Sequence, residues 1–277
     1  MSGNGGTPED AARPGGHVWG TGGRMRGPVP PMVLMYHSVT PYEQDPYGIT
    51  VSPARFERQM RWLRRRGLRG VSMSTLLDAW RTGRARGLIG LTFDDGYADF
   101  LEHALPVLAQ YGFGATAFPV AGLLGGNNDW DPGGPRKPLM TEAQVRQVAE
   151  AGIEIGSHGM RHVSLPGTPA AALAAEATES RAILRAASGQ DVTGFCYPFG
   201  HVDAPAVDAA RAAGYFYGCA MGLTPETGVF AIPRAFVDDH DNFVHLIAKE
   251  VKHWRAWVTA GHTNELVRKA TRSLPVA

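Results

Sequence analysis

The chain has 277 residues, room for one large or two modest domains at about 100–200 residues each. Its 27 Lys and Arg against 26 Asp and Glu leave a formal charge of +1, which excludes the electrostatic footprint of a nucleic-acid or anionic-membrane binder. Two cysteines, Cys196 and Cys219, are too few for a disulfide framework and stand in no CxxC spacing, so they read as free buried thiols or a single bridge. No apolar run approaches the ~18–20 residues of a membrane span.

Residues 1–30 are rich in Gly and Pro and read as a disordered leader without the apolar core of a secretory signal. Taken at face value, that start places the protein in the cytoplasm; a wrongly assigned start or a non-standard export route would undo the assignment. Residues 31–277 then read as one domain. Val33–His37 (VLMYH) is the first expected strand. Ser52 stands as an N-cap with Pro53 at the first helical position. Phe56, Met60 and Leu63 follow at i, i+4, i+7 as one buried stripe, and Gly67 ends the helix. The basic run Arg64, Arg65, Arg66 at that end complements the helix dipole. A second helix is expected over Thr75–Arg81, a strand over Leu88–Phe93, a helix over Ala98–Gln110 and a strand over Ala115–Val120. Gly122–Pro138 is a long loop carrying Trp130 and Asp131, and long loops inside compact domains are often functional.

Thr141 and Gln144 have capping-box spacing and open a helix that ends near Gly152. There follow a strand at Ile153–Gly156, an Ala-rich helix at Pro169–Ala187, and a strand at Thr193–Tyr197. A helix at Ala204–Ala213, a strand at Phe216–Met221 and a helical C-terminal tail at Asn242–Val267 complete the series. One βα alternation without a composition break predicts a mainly parallel sheet wrapped by helices. Six or more such units favour a closed or nearly closed barrel, whose chemistry sits on the loops after the strand C-termini.

Four strand ends carry polar residues that chemistry can use: Tyr36-His37, Asp94-Asp95-Gly96, Ser157-His158 with His162, and Tyr197-Pro198-Phe199-Gly200-His201. On a barrel all four share one face. His158 and His162 stand at i, i+4, which on a helical turn sets two imidazoles about 5–6 Å apart, close enough to chelate one divalent metal. The spacing alone also suits surface or supporting histidines. A carboxylate from another strand end completes a His₂Asp set with an open position. One of the adjacent aspartates is then a ligand and the other a general base. Helix capping would need only one Asp, and two side by side repel unless a cation or proton compensates.

TFDDG (Thr92–Gly96), SHxxxH (Ser157–His162) and YPFG (Tyr197–Gly200), in that order, resemble the motifs of polysaccharide deacetylases of the NodB-homology type, carbohydrate esterase family 4. The resemblance runs from about Val33 to Val237. It implies an α/β fold, a deformed (β/α)7 barrel, and metal-dependent hydrolysis of acetyl groups on N-acetylated, or O-acetylated, sugars and polysaccharides. It implies Asp94 as catalytic base and Asp95, His158 and His162 as metal ligands, with zinc the usual ion and cobalt or nickel as alternatives. The implied partner is a carbohydrate or N-acetylated small molecule, with no nucleic acid.

Three positions depart from the family pattern. The arginine that orients the base is replaced by Cys196; Arg234, in IPRAFV, is either its substitute or an ordinary surface arginine. Gly159 stands where Ser or Thr is usual. The late Leu-x-His motif is not evident after Val237. LMYH (Leu34–His37) instead resembles the circularly permuted subgroup of poly-N-acetylglucosamine deacetylases, which implies His37 as the acid that protonates the leaving amine. His201 is a weaker alternative, and a buried strand-end histidine is the plainer one. A backbone N–H near Tyr197 is expected to hold the oxyanion, and Tyr197 and Phe199 to shape the acetyl pocket. Trp130, with Asp131, either lines a sugar groove or anchors its loop.

Two other readings use the same residues: an amidohydrolase of the same fold acting on a small N-acyl or cyclic amide, and a carbohydrate-binding protein without turnover. The complete Asp94, Asp95, His158, His162 set argues against the second, because binding alone needs no free base.

Overall fold

Strands and helices alternate through residues 31–259, the part of the chain that the computed structural model describes. The expected leader at 1–30 and the end of the expected C-terminal tail lie outside the described residues. The chain opens with β1 (Val33–Tyr36), the short pair β2 (Ser38–Val39) and β3 (Thr50–Val51), then α1 (Pro53–Arg65), β4 (Arg69–Val71) and α2 (Met73–Arg81). Next come β5 (Leu88–Phe93), α3 (Leu105–Tyr111), β6 (Thr116–Ala117), α4 (Glu142–Glu150), β7 (Glu154–Ile155) and α5 (Ala170–Ser188). The rest is β8 (Gly194–Cys196), α6 (Ala204–Ala212), β9 (Tyr217–Met221), β10 (Ile232–Phe236) and α7 (Phe243–Thr259).

The main sheet is parallel throughout, in the order β7-β6-β5-β1-β10-β9-β8. β5 has two neighbours on one side: β4 pairs its first half, with Val71 opposite Gly90, and β6 pairs its last two residues, with Thr92 opposite Thr116. The outer strands meet through a single bridge between Ser157 and Phe195. There the Ser157 N–H donates to the Gly194 carbonyl at 2.9 Å, and the Cys196 N–H donates to the Ser157 carbonyl at 2.7 Å. The result is a nearly closed seven-stranded barrel with β4 as an accessory strand, the deformed (β/α)7 architecture.

The expected stripe on α1 packs as its spacing requires, with Phe56, Met60 and Leu63 all buried. Phe56 meets Tyr36 and Phe93 edge-on at 5.3 and 5.8 Å, and Tyr36 stacks on Phe93 at 5.3 Å. These rings fix α1 to β1 and β5, each buried side chain contributing about 1.5–3 kcal/mol. The Thr141–Gln144 capping box forms in full at the start of α4.

The short strands β2, β3 and β4 are not among the expected elements, and two further differences have a local cause. The helix expected over Ala98–Gln110 begins as a π-turn at Phe100–Ala104, with the Leu105 N–H donating to the Phe100 carbonyl. Pro106 follows and has no donor to continue an α-helical ladder. β10 is a strand that the apolar pattern does not announce, because Pro233 and Arg234 interrupt its run. It lies between β1 and β9, with Ala235 opposite Leu34 and Ile232 opposite Cys219.

Candidate metal centre and active site

β5 delivers both aspartates to the mouth of the barrel. The Asp94 N–H extends the ladder by donating to the Tyr36 carbonyl at 2.9 Å. The chain then turns through Asp95 at φ +69° and Gly96 at φ +76°. A Cβ on Gly96 would lie 2.7 Å from the Cα of Pro119, so only glycine fits the turn. Both carboxylates are buried, yet they face a cavity of about 520 Å³. The same cavity is lined by His37, Trp130, Asp131, His158, His162, Phe199 and His201, so the four polar strand ends converge.

His158 and His162 reach this cavity from a turn rather than a helix. Residues 158–162 have no helical assignment, and Gly159 and His162 take left-handed φ values of +77° and +54°. The two rings still meet, with centroids 5.0 Å apart. Asp95 Oδ1 lies 3.3 Å from Nε2 of each histidine. Two ligands each about 2.0–2.1 Å from a tetrahedral ion lie about 3.3–3.4 Å apart, so the spacing fits a divalent metal. The donor chemistry fits as well: Asp95 Oδ1 is buried without a hydrogen bond, and Asp95, His158 and His162 form a ligand-type cluster. Burial opposes ionisation of Asp95, but the two imidazoles hold its carboxyl well below the ordinary value. Burial likewise opposes the charge on His158, whose imidazole is nonetheless raised by Asp95 and Asp94. The His158 Nδ1 is paired with the Cys196 carbonyl at 2.8 Å, which orients Nε2 toward Asp95.

Asp94 sits in a different environment. Arg234 reaches it from β10 with two parallel bonds, Nη1 to Oδ1 at 2.6 Å and Nη2 to Oδ2 at 2.8 Å. The guanidinium is locked in turn by Nε donating to the Ala220 carbonyl at 3.2 Å and Nη1 to Thr92 Oγ1 at 3.1 Å. Arg234 is therefore a fully engaged internal cation and not a surface residue; its side chain is 1% exposed. Burial would push the Asp94 carboxyl up, and Arg234 outweighs it, holding the group below its ordinary value. Cys196 fills the space beside the pair, with Sγ 3.4 Å from Asp94 Oδ2 and 3.1 Å from Arg234 Nη2. Both cysteines are free, and burial drives the Cys196 thiol well up.

His37 follows β1 and packs on Phe236 with ring centroids 5.6 Å apart, its Nδ1 buried without a partner. Trp130 stacks on His162 at 4.3 Å, and Phe199 meets the same ring edge-on at 4.5 Å. His201 lies at the rim, where its Nδ1 contacts Ser164 Oγ at 3.2 Å. The Gly122–Pro138 loop is held by Lys137, which the sequence reading passed over. Its buried Nζ donates to Ser38 Oγ at 2.8 Å and Thr50 Oγ1 at 2.5 Å.

Tyr197 corrects the expectation placed on it. Its side chain points away from the cavity, packs on Phe195 at 5.2 Å and donates its hydroxyl to the Phe230 carbonyl at 2.8 Å. Side chains alternate along a strand, so with Cys196 facing Asp94 the next residue faces outward. The Tyr197 N–H is also taken, donating to the Cys219 carbonyl at 3.1 Å, and does not serve an oxyanion.

Comparison with known proteins bears on this geometry. Residues 82–218 match the family model for polysaccharide deacetylase. YxkH of Bacillus subtilis (strain 168), named for the same family, is 30% identical over 198 residues, covering 71% of this chain and 64% of the relative. This chain therefore spans a little under two-thirds of that protein's length. The poly-β-1,6-N-acetyl-D-glucosamine N-deacetylase of Staphylococcus aureus (strain MRSA252) is 24% identical over 213 residues, covering 72% of this chain and 71% of the relative. Among solved structures, the Streptococcus pyogenes deacetylase PplD in complex with acetate superposes with TM-score 0.68 at 21% identity, over 80% of this chain and 99% of that one. IcaB from Ammonifex degensii superposes with TM-score 0.67 at 22% identity, over 81% and 98% of the two chains. These structural likenesses support the fold.

Proposed function

We propose that this domain is a metal-dependent deacetylase that hydrolyses acetyl amides on N-acetylated sugars, with a polymer of N-acetylglucosamine as the substrate class. The observation that carries the reading is the division between adjacent aspartates. Asp95 offers Oδ1 to two imidazoles with no hydrogen bond of its own, while Asp94 is held ionised by Arg234. In this reading Asp95, His158 and His162 hold the ion, with zinc the proposed metal. When bound, the ion polarises the acetyl carbonyl and lowers the pKa of water toward ~7.

Asp94 accepts the proton of the attacking water, and the paired bonds from Arg234 keep its carboxylate ionised and aimed. Attack forms the new C–O bond. The C–N bond breaks as the leaving nitrogen takes a proton from His37, giving acetate and a free amine. Trp130 and Phe199 wall the cavity with aromatic surface suited to a pyranose face. The likeness to an enzyme named for poly-β-1,6-N-acetylglucosamine supports the polymer class.

The test is acetate release from β-1,6-linked and β-1,4-linked N-acetylglucosamine oligomers with zinc or cobalt supplied. Asp94→Asn should bind metal normally and lose activity by about 10²–10⁴. Wild-type activity in that variant would remove the base assignment. Turnover of small N-acyl amides with none on any oligomer would favour the amidohydrolase.

A further inference from the structure

The turn that carries the two histidines is clamped from outside the cavity. Glu176, on α5, is 1% exposed. Its Oε2 accepts the backbone N–H of Met160 at 2.7 Å and of Arg161 at 3.3 Å, while Oε1 accepts Arg161 Nε at 2.8 Å. On the other side, the Gly159 and Met160 carbonyls accept the N–H groups of Ala121 and Gly122 at 2.9 and 3.1 Å. A Cβ on Gly159, at φ +77°, would stand 3.0 Å from Glu176 Oε2, so the backbone lies directly against the carboxylate. A buried carboxylate that receives two main-chain N–H groups is committed to that turn, since losing them would leave polar groups stranded.

The two histidines differ in what orients them. His158 is fixed through its ring, by Nδ1 and the Cys196 carbonyl. His162 has no such bond: its Nδ1 is buried and unpartnered, and its ring rests against those of Trp130, Phe199 and His158. Its backbone also sits at φ +54°, a left-handed conformation that is strained for a residue other than glycine. A ring without a hydrogen bond on a strained residue depends on the main chain just before it.

We propose that Glu176 is a positioning residue for the metal centre: by gathering the Met160 and Arg161 N–H groups, its carboxylate sets the turn that brings His162 Nε2 to Asp95. The inference rests on the metal reading of Asp95, His158 and His162. Glu176 touches neither cavity nor ligand atoms, and a purely structural role would show in folding alone.

The experiment measures zinc affinity by chelator competition and the cobalt(II) visible spectrum in the full chain, beside the melting temperature of the metal-free form. Glu176→Ala should bind zinc about 10–100-fold more weakly and give an altered cobalt spectrum. Glu176→Gln, which keeps the shape and one acceptor, should lie between it and wild type. Gly159→Ala presses a methyl against the same carboxylate and should weaken binding in the same direction, so it carries the test if Glu176→Ala does not fold. Unchanged affinity and spectrum in the folded variants, even with a lowered metal-free melting temperature, overturn the inference alone. Wild-type protein that binds neither zinc nor cobalt overturns the metal reading and the inference with it.

Discussion

At the scale of single residues, Arg234 and Cys196 reach Asp94 from different strands. β8 places a small thiol beside Asp94, and the cation comes from β10, 140 residues along the chain from it. Cys196 packs directly against that pair, its Sγ 3.1 Å from Arg234 Nη2. Removing Arg234 leaves a buried carboxylate without its partner, and Arg234→Met should cost about 3–5 kcal/mol in urea unfolding. Arg234→Lys keeps the charge but cannot make two parallel bonds, and should retain the fold with activity down about 10–100-fold. The pH dependence follows from the sign. Arg234 holds Asp94 below its ordinary value, so any acid limb due to Asp94 lies at pH values under 4 in the wild type. With the cation gone burial dominates, and that limb moves toward neutrality; an unmoved limb in the kcat/KM profile of Arg234→Met would exclude Asp94 as the base. His37 titrates in the other direction. Burial lowers its imidazole below 6.5, against the pull of Asp95 and Asp94. The protonated form it needs as an acid therefore declines as pH rises from the acidic side of 6.5. His37→Gln should lower kcat by about 10²–10⁴ and abolish that alkaline fall; a kcat profile that keeps it would assign the acid elsewhere.

At the scale of elements, the site is built from strand ends and braced by contacts from distant segments, and only the first of these was legible in the sequence. Asp94, Asp95, His158 and His162 announce themselves because each pair is local and each follows an apolar strand. Arg234 was legible only as an alternative, since nothing in IPRAFV says which strand it faces. Tyr197 was misread because a motif gives neighbours in sequence, while strand alternation decides which neighbour faces the cavity. Lys137 and Glu176 left no signal: one lies in a Gly- and Pro-rich loop, the other on an Ala-rich helix where Glu179 looks the same. Lys137→Met should free the Gly122–Pro138 loop, costing about 1–3 kcal/mol in unfolding. It should raise KM more than it lowers kcat, because Trp130 rides on that loop; unchanged KM would mean that the loop is held without it. A further brace joins the β10–α7 connection to α1. Asp239 Oδ1 accepts the Ser52 N–H at 2.8 Å and the Ser52 hydroxyl at 2.7 Å. Ser52 therefore spends its hydroxyl on Asp239 and makes no side-chain cap to its own helix. Burial opposes ionisation of Asp239, but these bonds hold its carboxyl below the ordinary value. Its contribution is thus present above the unfolded value near 3.9 and lost as pH falls through the lower folded one. Asp239→Asn should flatten stability between those two values, read by urea titrations at pH 3 to 5.

At the scale of the whole molecule, the barrel's thinnest seam lies beside its centre of chemistry. β7 and β8 meet at one bridge, Ser157 to Phe195, and the next residue is His158. Asp95 follows β5, on the far side of β6 and β7, so an ion held by Asp95, His158 and His162 would tie the seam strand back to an inner strand of the sheet. An ion that binds the folded barrel and not the unfolded chain stabilises it by about 2.7 kcal/mol at one hundred times its dissociation constant. For a domain of this size, about 2–4 °C per kcal/mol translates that into a melting temperature roughly 5–10 °C higher with zinc than with EDTA. His158→Ala should abolish the difference. Cys219→Ala, at a position opposite Cys196 but outside the ligand set, should keep it. A wild-type melting temperature indifferent to zinc and EDTA would mean that the strand ends hold their geometry without an ion. The seam would then be closed by backbone hydrogen bonds and packing alone.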